Sequence, residues 1–244
     1  MIIYERKQTR DSFRNKTTFY IVSSNPTIMK YAIVSGLLFL GFAILASLII
    51  THNDLVVKWD LSGFNIINGS HIKTLDKILV IFSQYGREVV WGGITVLLLI
   101  FGKNQGRKIA VLLIIAFLIL VPTGYFLKDE IGRPRPTPLV SDNLLYKAPE
   151  GEPAFPSGHS LIVSAGALIM LLRYNQGKQM VLSLLLTAET ITVMYSMIYV
   201  GAHYPLDVVG GMLWGTAVGL AVIASSNYIT PVFSRIDSIG KKKF

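Results

Sequence analysis

The sequence predicts an all-α integral membrane protein, folded as one polytopic bundle of about six transmembrane helices. Of its 244 residues, 52% are hydrophobic and only 15% are charged, and the mean hydropathy is +0.53. A chain of this composition is too apolar for an ordinary soluble domain. Its hydrophobic residues lie in runs that approach the roughly 20 residues needed to cross a bilayer as a helix. The sequence has no cysteine, which excludes disulfide bonds and thiolate metal sites.

The chain begins with a polar, basic segment that precedes the first predicted span. Residues 1–30 lack the compact apolar region and small-residue cleavage site of a secretory signal, so we interpret them as a cytoplasmic segment. The uncharged run Tyr31–Ile50 predicts an uncleaved membrane anchor. In residues 51–77, apolar side chains that include Trp59 and Phe64 are spaced among polar ones. This pattern indicates either a helix in the membrane interface or a plain connecting loop.

Five further apolar runs predict the remaining spans. The second span is composite, because Ile78–Phe82 and Val89–Phe101 flank a polar stretch. The fifth contains Glu189, and an acid within a span indicates either a functional group or a hydrogen-bonded packing residue. The third to sixth spans are 109–127, 160–172, 180–200 and 208–225. Residues 31–228 are therefore predicted to form a single transmembrane domain, and residues 229–244 a basic cytoplasmic tail.

Basic residues are distributed unevenly between the two sides of the predicted bundle. Six spans place 15 of the 23 Lys and Arg residues on the side that holds both termini, and eight on the other side. In membrane proteins the cytoplasmic loops carry the excess of Lys and Arg. We therefore predict cytoplasmic termini, and an outer face formed by the segments after the first, third and fifth spans. This topology accounts for the net charge of +9, so no nucleic acid partner is predicted.

Two polar blocks after the third span contain residues suited to binding an anion. The first holds Lys128 and the run Arg133-Pro134-Arg135-Pro136, which suits either phosphate binding or a snorkelling membrane anchor. The second, Pro156-Ser157-Gly158-His159, is typical of a helix start at which Ser157 is the capping residue. Free backbone amides at such a start also attract an anion. A capping function explains Ser157 but leaves His159 unexplained.

A third block after the fifth span pairs a histidine with a carboxylate. Asp207 follows His203 by four residues, so one helical turn places the carboxylate beside the imidazole. Such a carboxylate orients one ring nitrogen and leaves the other free as a nucleophile or base. Each block alone is weakly diagnostic. Together, in order on one predicted face, the three blocks indicate a phosphate-processing site.

The three blocks resemble the motifs of the type 2 phosphatidic acid phosphatase (PAP2) superfamily of integral membrane lipid phosphatases. In that family a Lys is followed after six residues by Arg-Pro, as Lys128 is here by Arg135-Pro136, and the second block is Pro-Ser-Gly-His. The third block is Ser-Arg, five residues, His, three residues and Asp. The residues that match it are Ser196, His203 and Asp207. Its Arg position holds Met197. The resemblance implies a helical core like that of the acid phosphatases and haloperoxidases.

The resemblance also implies a two-step reaction that needs no metal and no cofactor. His203 attacks phosphorus to form a phosphohistidine, and Asp207 supports its imidazole. His159 protonates the leaving group and then activates water. The phosphoryl oxygens are held, by the same resemblance, by Lys128, Arg135, Ser157 and Gly158.

Met197 cannot supply the phosphate contact that the family's arginine makes. Losing one charge-assisted donor costs on the order of 2–4 kcal/mol of transition-state stabilisation, or roughly 10²–10³ in rate. We include Arg133 among the phosphate-binding residues, because Arg133 or Arg87 is best able to replace the missing cation. Without such a replacement the protein is either a slow enzyme or a lipid-phosphate binder.

The function that we expect is hydrolysis of a lipid phosphate or diphosphate at the outer face of the cytoplasmic membrane. Polyprenyl diphosphate, phosphatidate and phosphatidylglycerophosphate all fit the resemblance, and we favour polyprenyl diphosphate. The expected partners are this lipid substrate and the bilayer. The alternatives are a non-catalytic lipid-phosphate binding protein and a phosphotransferase of the same fold. The apolar spans argue against a soluble vanadium haloperoxidase, which shares the motif blocks.

Overall fold

The computed structural model describes residues 26–137, 143–146 and 151–241 of the chain. Across these ranges the regular structure is helical, without a β-strand, which confirms the predicted all-α class. The α-helices are α1 (Pro26–Ile50), α2 (Asp54–Asn68), α3 (Lys73–Tyr85), α4 (Gly92–Phe101), α5 (Lys103–Ile131), α6 (Gly158–Arg173), α7 (Lys178–Tyr199), α8 (Pro205–Ala224) and α9 (Thr230–Lys241). A π-helix at Gly86–Trp91 joins α3 to α4, and a 3₁₀-helix at Ser225–Ile229 joins α8 to α9.

Four helical stretches in the described ranges are long and apolar enough to cross a membrane. They are α1, α5, α7 and the continuous stretch Pro205–Ser238 that begins with α8. The predicted fourth span corresponds to α6, which is apolar but has 16 residues. The predicted second span consists of α3, the π-helix and α4. The chain is a multi-pass membrane protein, and the number of six spans stays a prediction.

The predicted terminal segments fall partly within the described residues. Residues 1–25 of the N-terminal segment and residues 242–244 of the tail lie outside them. Most of the predicted tail is helical, because α9 extends to Lys241. The Asp237 carboxylate of α9 pairs with the Lys108 ammonium group of α5 at 2.7 Å. The tail therefore packs back onto the bundle at the end where α5 begins.

α6 lies at the centre of the bundle and packs against α5, α7 and α8. Nearly all of residues 160–170 are buried, as expected for a helix that is apolar on every side. Gly211 and Gly215 of α8 lie close to α6. A Cβ added to them would be 2.5 Å from the Ser157 carbonyl oxygen and 2.2 Å from that of Leu161. The two backbones therefore meet directly, and the start of α6 lies beside the start of α8.

The segment after α1 forms the helix α2. The sequence of this region was compatible with either a helix or a connecting loop. The Asn53 side chain caps this helix by accepting a hydrogen bond from the Val56 amide at 3.2 Å. One face packs on the bundle through fully buried Phe64, while Trp59 on the opposite side is 74% exposed. Asp60 lies on the buried face. Because α2 contacts α8, this carboxylate reaches the first turn of α8.

The π-helix interrupts the helical stretch from α3 to α4 beside α7. A π-turn holds one more residue than an α-turn, so it changes the direction of the side chains that follow. Trp91 at its end is fully buried and donates from its indole nitrogen to Glu189 of α7 at 3.0 Å. Gly86 at its start also lies against α7. Between these two contacts, Arg87 and Glu88 reach an internal cavity.

Candidate active site

A cavity of about 570 Å³ brings together residues of all three sequence blocks. It lies between α5, α6, the π-helix and the turn before α8. Lys128 comes from the last turn of α5 and Arg135 from the segment after it. Gly158 and His159 begin α6, and His203 lies in the turn between α7 and α8. The close contact of α6 with α8 holds the two histidines in the same cavity.

His203 is buried, and its two ring nitrogens have different surroundings. Its Nε2 lies 3.2 Å from a terminal nitrogen of Arg135. Arginine can only donate hydrogen bonds, so Nε2 presents its lone pair on this side. The proton therefore resides on Nδ1, which faces Oδ2 of Asp207 at 3.5 Å. Burial lowers the pKa of His203 well below its usual value, and the positive charges of Arg135 and Lys128 lower it further. The arrangement presents a neutral imidazole whose Nε2 lone pair points toward Arg135.

Asp207 is fully buried in the first turn of α8, where three groups bind its carboxylate or lie against it. Oδ2 accepts a hydrogen bond from the Tyr204 amide at 2.8 Å and faces His203. Oδ1 accepts a hydrogen bond from Arg133 at 2.6 Å. The other terminal nitrogen of Arg133 donates to Asp60 at 2.5 Å. The predicted pairing of His203 with Asp207 thus forms part of a larger network.

Arg133 lies behind Asp207, whereas Arg87 lies in the cavity. Among the residues that the structure describes, those lining the cavity include Arg87 but not Arg133. The guanidinium group of Arg133 lies between two buried carboxylates and 4.5 Å from the centre of the Tyr204 ring. Burial opposes its charge, yet the carboxylates of Asp207 and Asp60 raise the pKa of Arg133. Sequence reasoning grouped Arg133 with the phosphate-binding residues, because pairing with Asp60 depends on α2 and is not visible in the sequence.

Burial raises the pKa of Asp60, although the charge of Arg133 opposes this shift. Oδ1 of Asp60 also accepts a hydrogen bond from the Leu206 amide at 2.8 Å. Asp60 therefore ties α2 both to Arg133 and to the start of α8. Sequence reasoning missed Asp60, because an acid in an amphipathic segment gives no sign of the partner that it meets.

Lys128 and Arg135 share one carboxylate at the cavity. Oε1 of Glu152 accepts hydrogen bonds from the Lys128 ammonium group and from Arg135, both at 2.9 Å. Lys128 also donates to the Pro153 carbonyl oxygen at 3.0 Å. Burial acts to raise the pKa of Glu152, but these two cations hold it below its usual value. The carboxylate lies between two cations at the kind of position that a phosphate oxygen would take. The sequence contained no signal for this role of Glu152.

The start of α6 has the cap that its sequence predicts. The Ser157 hydroxyl oxygen accepts a hydrogen bond from the Ser160 amide at 3.5 Å. Ser157 is fully buried and is not among the residues that line the cavity. The Ser157 amide donates to the Asp207 carbonyl oxygen at 3.0 Å, which joins α6 to α8. Gly158 and His159 face the cavity. The hydroxyl contact predicted between Ser157 and phosphate stays a prediction.

The cavity continues from this polar end along an apolar wall. Met197 is 1% exposed and lines the cavity near His203. The apolar residues of the wall come from α5, α6 and the π-helix. They are Trp91, Phe117, Leu120, Val121, Leu161 and Ile162. Such a cavity can hold a charged head group at one end and a hydrocarbon chain at the other. In the described ranges, no three His, Asp or Glu side chains are grouped as metal ligands.

Comparison with known sequences shows a family match over most of the chain. The sequence model of the PAP2 superfamily matches residues 90–231. The undecaprenyl-diphosphatase of Sulfolobus acidocaldarius is 39% identical over 160 residues, which are 66% of this chain and 75% of that protein. The undecaprenyl-diphosphatase BcrC of Bacillus subtilis is 29% identical over 172 residues, which are 69% of this chain and 84% of that protein.

Comparison with solved structures shows the same architecture. A transmembrane PAP2-type phosphatidylglycerolphosphate phosphatase from Bacillus subtilis superposes with a TM-score of 0.65 at 21% identity. The alignment covers 80% of this chain and 96% of that one. Aquifex aeolicus LpxE superposes with a TM-score of 0.53 at 26% identity, over 66% of this chain and 92% of that one. The helical arrangement around the cavity is therefore one that these membrane proteins share.

Proposed function

The chain belongs to the PAP2 superfamily, and we propose that it hydrolyses a lipid phosphate or diphosphate, with a polyprenyl diphosphate as its main substrate. The observation that carries this proposal is the His203 imidazole, whose Nε2 faces the cavity beside Arg135 while Nδ1 faces Asp207. The choice of a polyprenyl diphosphate rests on the two relatives named as undecaprenyl-diphosphatases. The apolar wall of the cavity offers a surface for the hydrocarbon chain.

In the first step, Nε2 of His203 attacks the terminal phosphorus and the bond to the leaving oxygen breaks. The new P–N bond leaves a positive imidazolium ring, which the Asp207 carboxylate stabilises through Nδ1–H. His159 donates a proton to the leaving group. Lys128 and Arg135 move from Glu152 to the phosphoryl oxygens, where they balance the charge that shifts in the transition state.

In the second step, His159 takes a proton from water, and the resulting hydroxide attacks phosphorus. The P–N bond breaks, inorganic phosphate is released, and Nε2 of His203 recovers its lone pair. Cationic side chains carry the charge stabilisation in both steps, so the proposed reaction uses no metal ion. The Gly158 amide at the start of α6 is a further donor to the phosphoryl oxygens.

Ser157 and Arg133 support the site from positions outside the cavity. Ser157 caps α6 and so fixes the direction of the helix start that carries His159. Arg133 holds Asp207 through a charge-assisted hydrogen bond at 2.6 Å. We propose that this bond keeps the carboxylate oriented toward His203 and that Arg133 is a positioning residue.

We further propose that the protein resides in the cytoplasmic membrane, with both termini in the cytoplasm and the cavity open to the outer face. The bias of Lys and Arg toward the terminal side supports this orientation. Residues 31–228 form the phosphatase domain in this proposal, between the N-terminal segment and the basic tail. The cysteine-free chain suits labelling with a membrane-impermeant thiol reagent. In whole cells, Ser70→Cys should react and Gln176→Cys should not; the reverse result would contradict the orientation.

The catalytic proposal is tested by phosphate release from purified protein in detergent. The substrates are a polyprenyl diphosphate and phosphatidate, each with and without EDTA, and His203→Ala is the matched variant. We expect release that EDTA does not reduce and that His203→Ala abolishes. No release from folded wild-type protein with either lipid would contradict the proposal and favour a lipid-phosphate binder. Product that forms only when an alcohol acceptor is added would favour a transferase.

A further inference from the structure

Arg87 is a cation of the cavity that neither the family match nor the three sequence blocks include. The family model begins at residue 90, so Arg87 precedes the matched segment. A terminal nitrogen of Arg87 lies 3.2 Å from the position that a Cβ on Gly158 would occupy. The guanidinium group therefore touches the start of α6, next to His159. The π-helix places it there, between the two contacts that Gly86 and Trp91 make with α7.

The two histidines of the cavity have different cations next to them: Arg135 contacts His203, whereas Arg87 touches the start of α6 beside His159. Arg135 and Lys128 are the positive charges that act most strongly on His203, and both bind Glu152. Arg87 is the positive charge that acts most strongly on His159. In an in-line displacement, the attacking and leaving groups occupy opposite sides of phosphorus. If His203 attacks and His159 protonates the leaving group, Arg87 lies on the leaving-group side.

The charge of Arg87 is balanced by an adjacent acid in the same way as the charges of Lys128 and Arg135. Its Nε donates to Glu88 at 2.6 Å, and a terminal nitrogen donates to the same carboxylate oxygen. Glu88 is half exposed, with 52% of its side chain accessible, so little burial holds this pair together. A phosphate that enters the cavity can therefore displace Glu88 and accept both donors of the guanidinium fork.

We propose that Arg87 binds the leaving phosphate of a diphosphate substrate and makes the site selective for lipid diphosphates over lipid monophosphates. This inference rests on the proposed phosphatase function. In the proposed mechanism, Lys128 and Arg135 bind the reacting phosphoryl group. A diphosphate carries a second phosphate on the leaving side, and only there does Arg87 gain an anionic partner. A monophosphate ester presents an uncharged carbon chain at that point, so it gains nothing from Arg87.

The test compares one polyprenyl chain carried as a diphosphate and as a monophosphate. We expect Arg87→Gln to lower kcat/KM for the diphosphate about 100-fold, because it removes a charge-assisted donor to the departing group. The monophosphate should change less than about threefold, since its leaving group takes a proton from His159 and carries no phosphate oxygens for the guanidinium fork to bind. Arg87→Lys keeps the charge without the fork and should fall in between. The matched control is Arg235→Gln, an exposed position on α9, which should leave both substrates unchanged.

A binding measurement decides the inference independently of turnover. Methylenediphosphonate, a non-hydrolysable diphosphate, and inorganic phosphate are added to the protein in detergent, and the rise in melting temperature is recorded. Wild type should be stabilised more by methylenediphosphonate, and Arg87→Gln should lose this difference. If wild type shows no difference, the inference is wrong. If wild-type protein releases no phosphate from any lipid, the phosphatase proposal fails, and the binding preference still supports or contradicts the role of Arg87.

Three kinetic outcomes would also overturn the inference. An equal loss on the diphosphate and the monophosphate would mean that Arg87 holds the reacting phosphoryl group in place of the arginine absent at Met197. Unchanged kinetics on both substrates would mean that Arg87 contacts no phosphate. A wild-type protein that hydrolyses the monophosphate faster than the diphosphate would contradict the selectivity while leaving the phosphatase function in place.

Discussion

Replacing Arg133 with Gln should destabilise the protein, because it leaves two buried carboxylates without their shared cation. Asp60 and Asp207 bind the two terminal nitrogens of Arg133 at 2.5 and 2.6 Å. Both acids are almost completely buried, and the arginine side chain is 13% exposed. Because both carboxylates are buried, loss of the cation leaves their charges poorly solvated. The variant therefore has to bury uncompensated charge or take up protons as it folds.

Removing one partner of a buried ion pair costs about 3–5 kcal/mol. For a chain of 150–250 residues, each kcal/mol changes the melting temperature by about 2–4 °C, so we expect Arg133→Gln to melt at least about 6 °C lower. The difference in melting temperature between this variant and wild type should also grow with pH. Burial already raises the pKa of Asp60, and Arg133→Gln removes the largest influence that opposes this shift. A carboxyl group whose pKa is higher in the folded than in the unfolded state stabilises the fold at low pH. This stabilisation is lost as the pH rises through the higher pKa.

The assay is thermal unfolding in detergent, followed by the fluorescence of the three tryptophans at pH 5 and pH 8. Adding Asp60→Asn to Arg133→Gln should recover part of the loss, because it removes one of the two uncompensated charges. Arg235→Gln serves as the matched surface control. The reasoning is refuted if Arg133→Gln melts within about 2 °C of wild type, or if its deficit is equal at the two pH values.

Three further predictions concern the cavity. Met197→Arg should raise kcat about tenfold for a lipid diphosphate and a lipid monophosphate alike, because it adds a donor to the reacting phosphoryl group. Glu152→Gln should lower the inhibition constant of inorganic phosphate several-fold with kcat unchanged, because phosphate no longer competes with a carboxylate for Lys128 and Arg135. The acid limb of kcat/KM should lie below pH 6.5, because burial and nearby cations lower the pKa of His203 and keep its imidazole neutral there.

Each of these predictions has an outcome that contradicts it. Unchanged phosphate release by folded Met197→Arg would mean that this position does not limit the rate. For Glu152→Gln, weaker phosphate inhibition would mean that the carboxylate organises the two cations instead of competing with phosphate. Asp54→Asn is the control for a lost acid outside the cavity. Loss of activity already between pH 7.5 and pH 6.5 would show that His203 titrates as an ordinary exposed histidine.

The helical architecture could be predicted from the sequence because a bilayer accepts few alternatives. Apolar runs such as Tyr31–Ile50 must satisfy their backbone groups internally, so they form helices wherever they lie in the membrane. The sequence also indicated a change within residues 78–101, since a polar stretch separates two apolar runs there. The π-helix at Gly86–Trp91 was not, because its form depends on contacts with α7 that lie about 100 residues further along the chain.

The sequence by itself identified the candidate residues of the site. His159, His203 and Asp207 lie in short blocks, and a separation of only four residues keeps His203, in the turn before α8, close to Asp207 in the first turn of α8. The tertiary structure decided which cations lie beside these residues. Arg87 and Arg133 were equivalent as sequence candidates, and the packing of the π-helix against α6 and of α2 against α8 assigns them different partners. The physical reason is that the partners of a charge are set by which helices pack together, and that packing joins residues far apart in the chain.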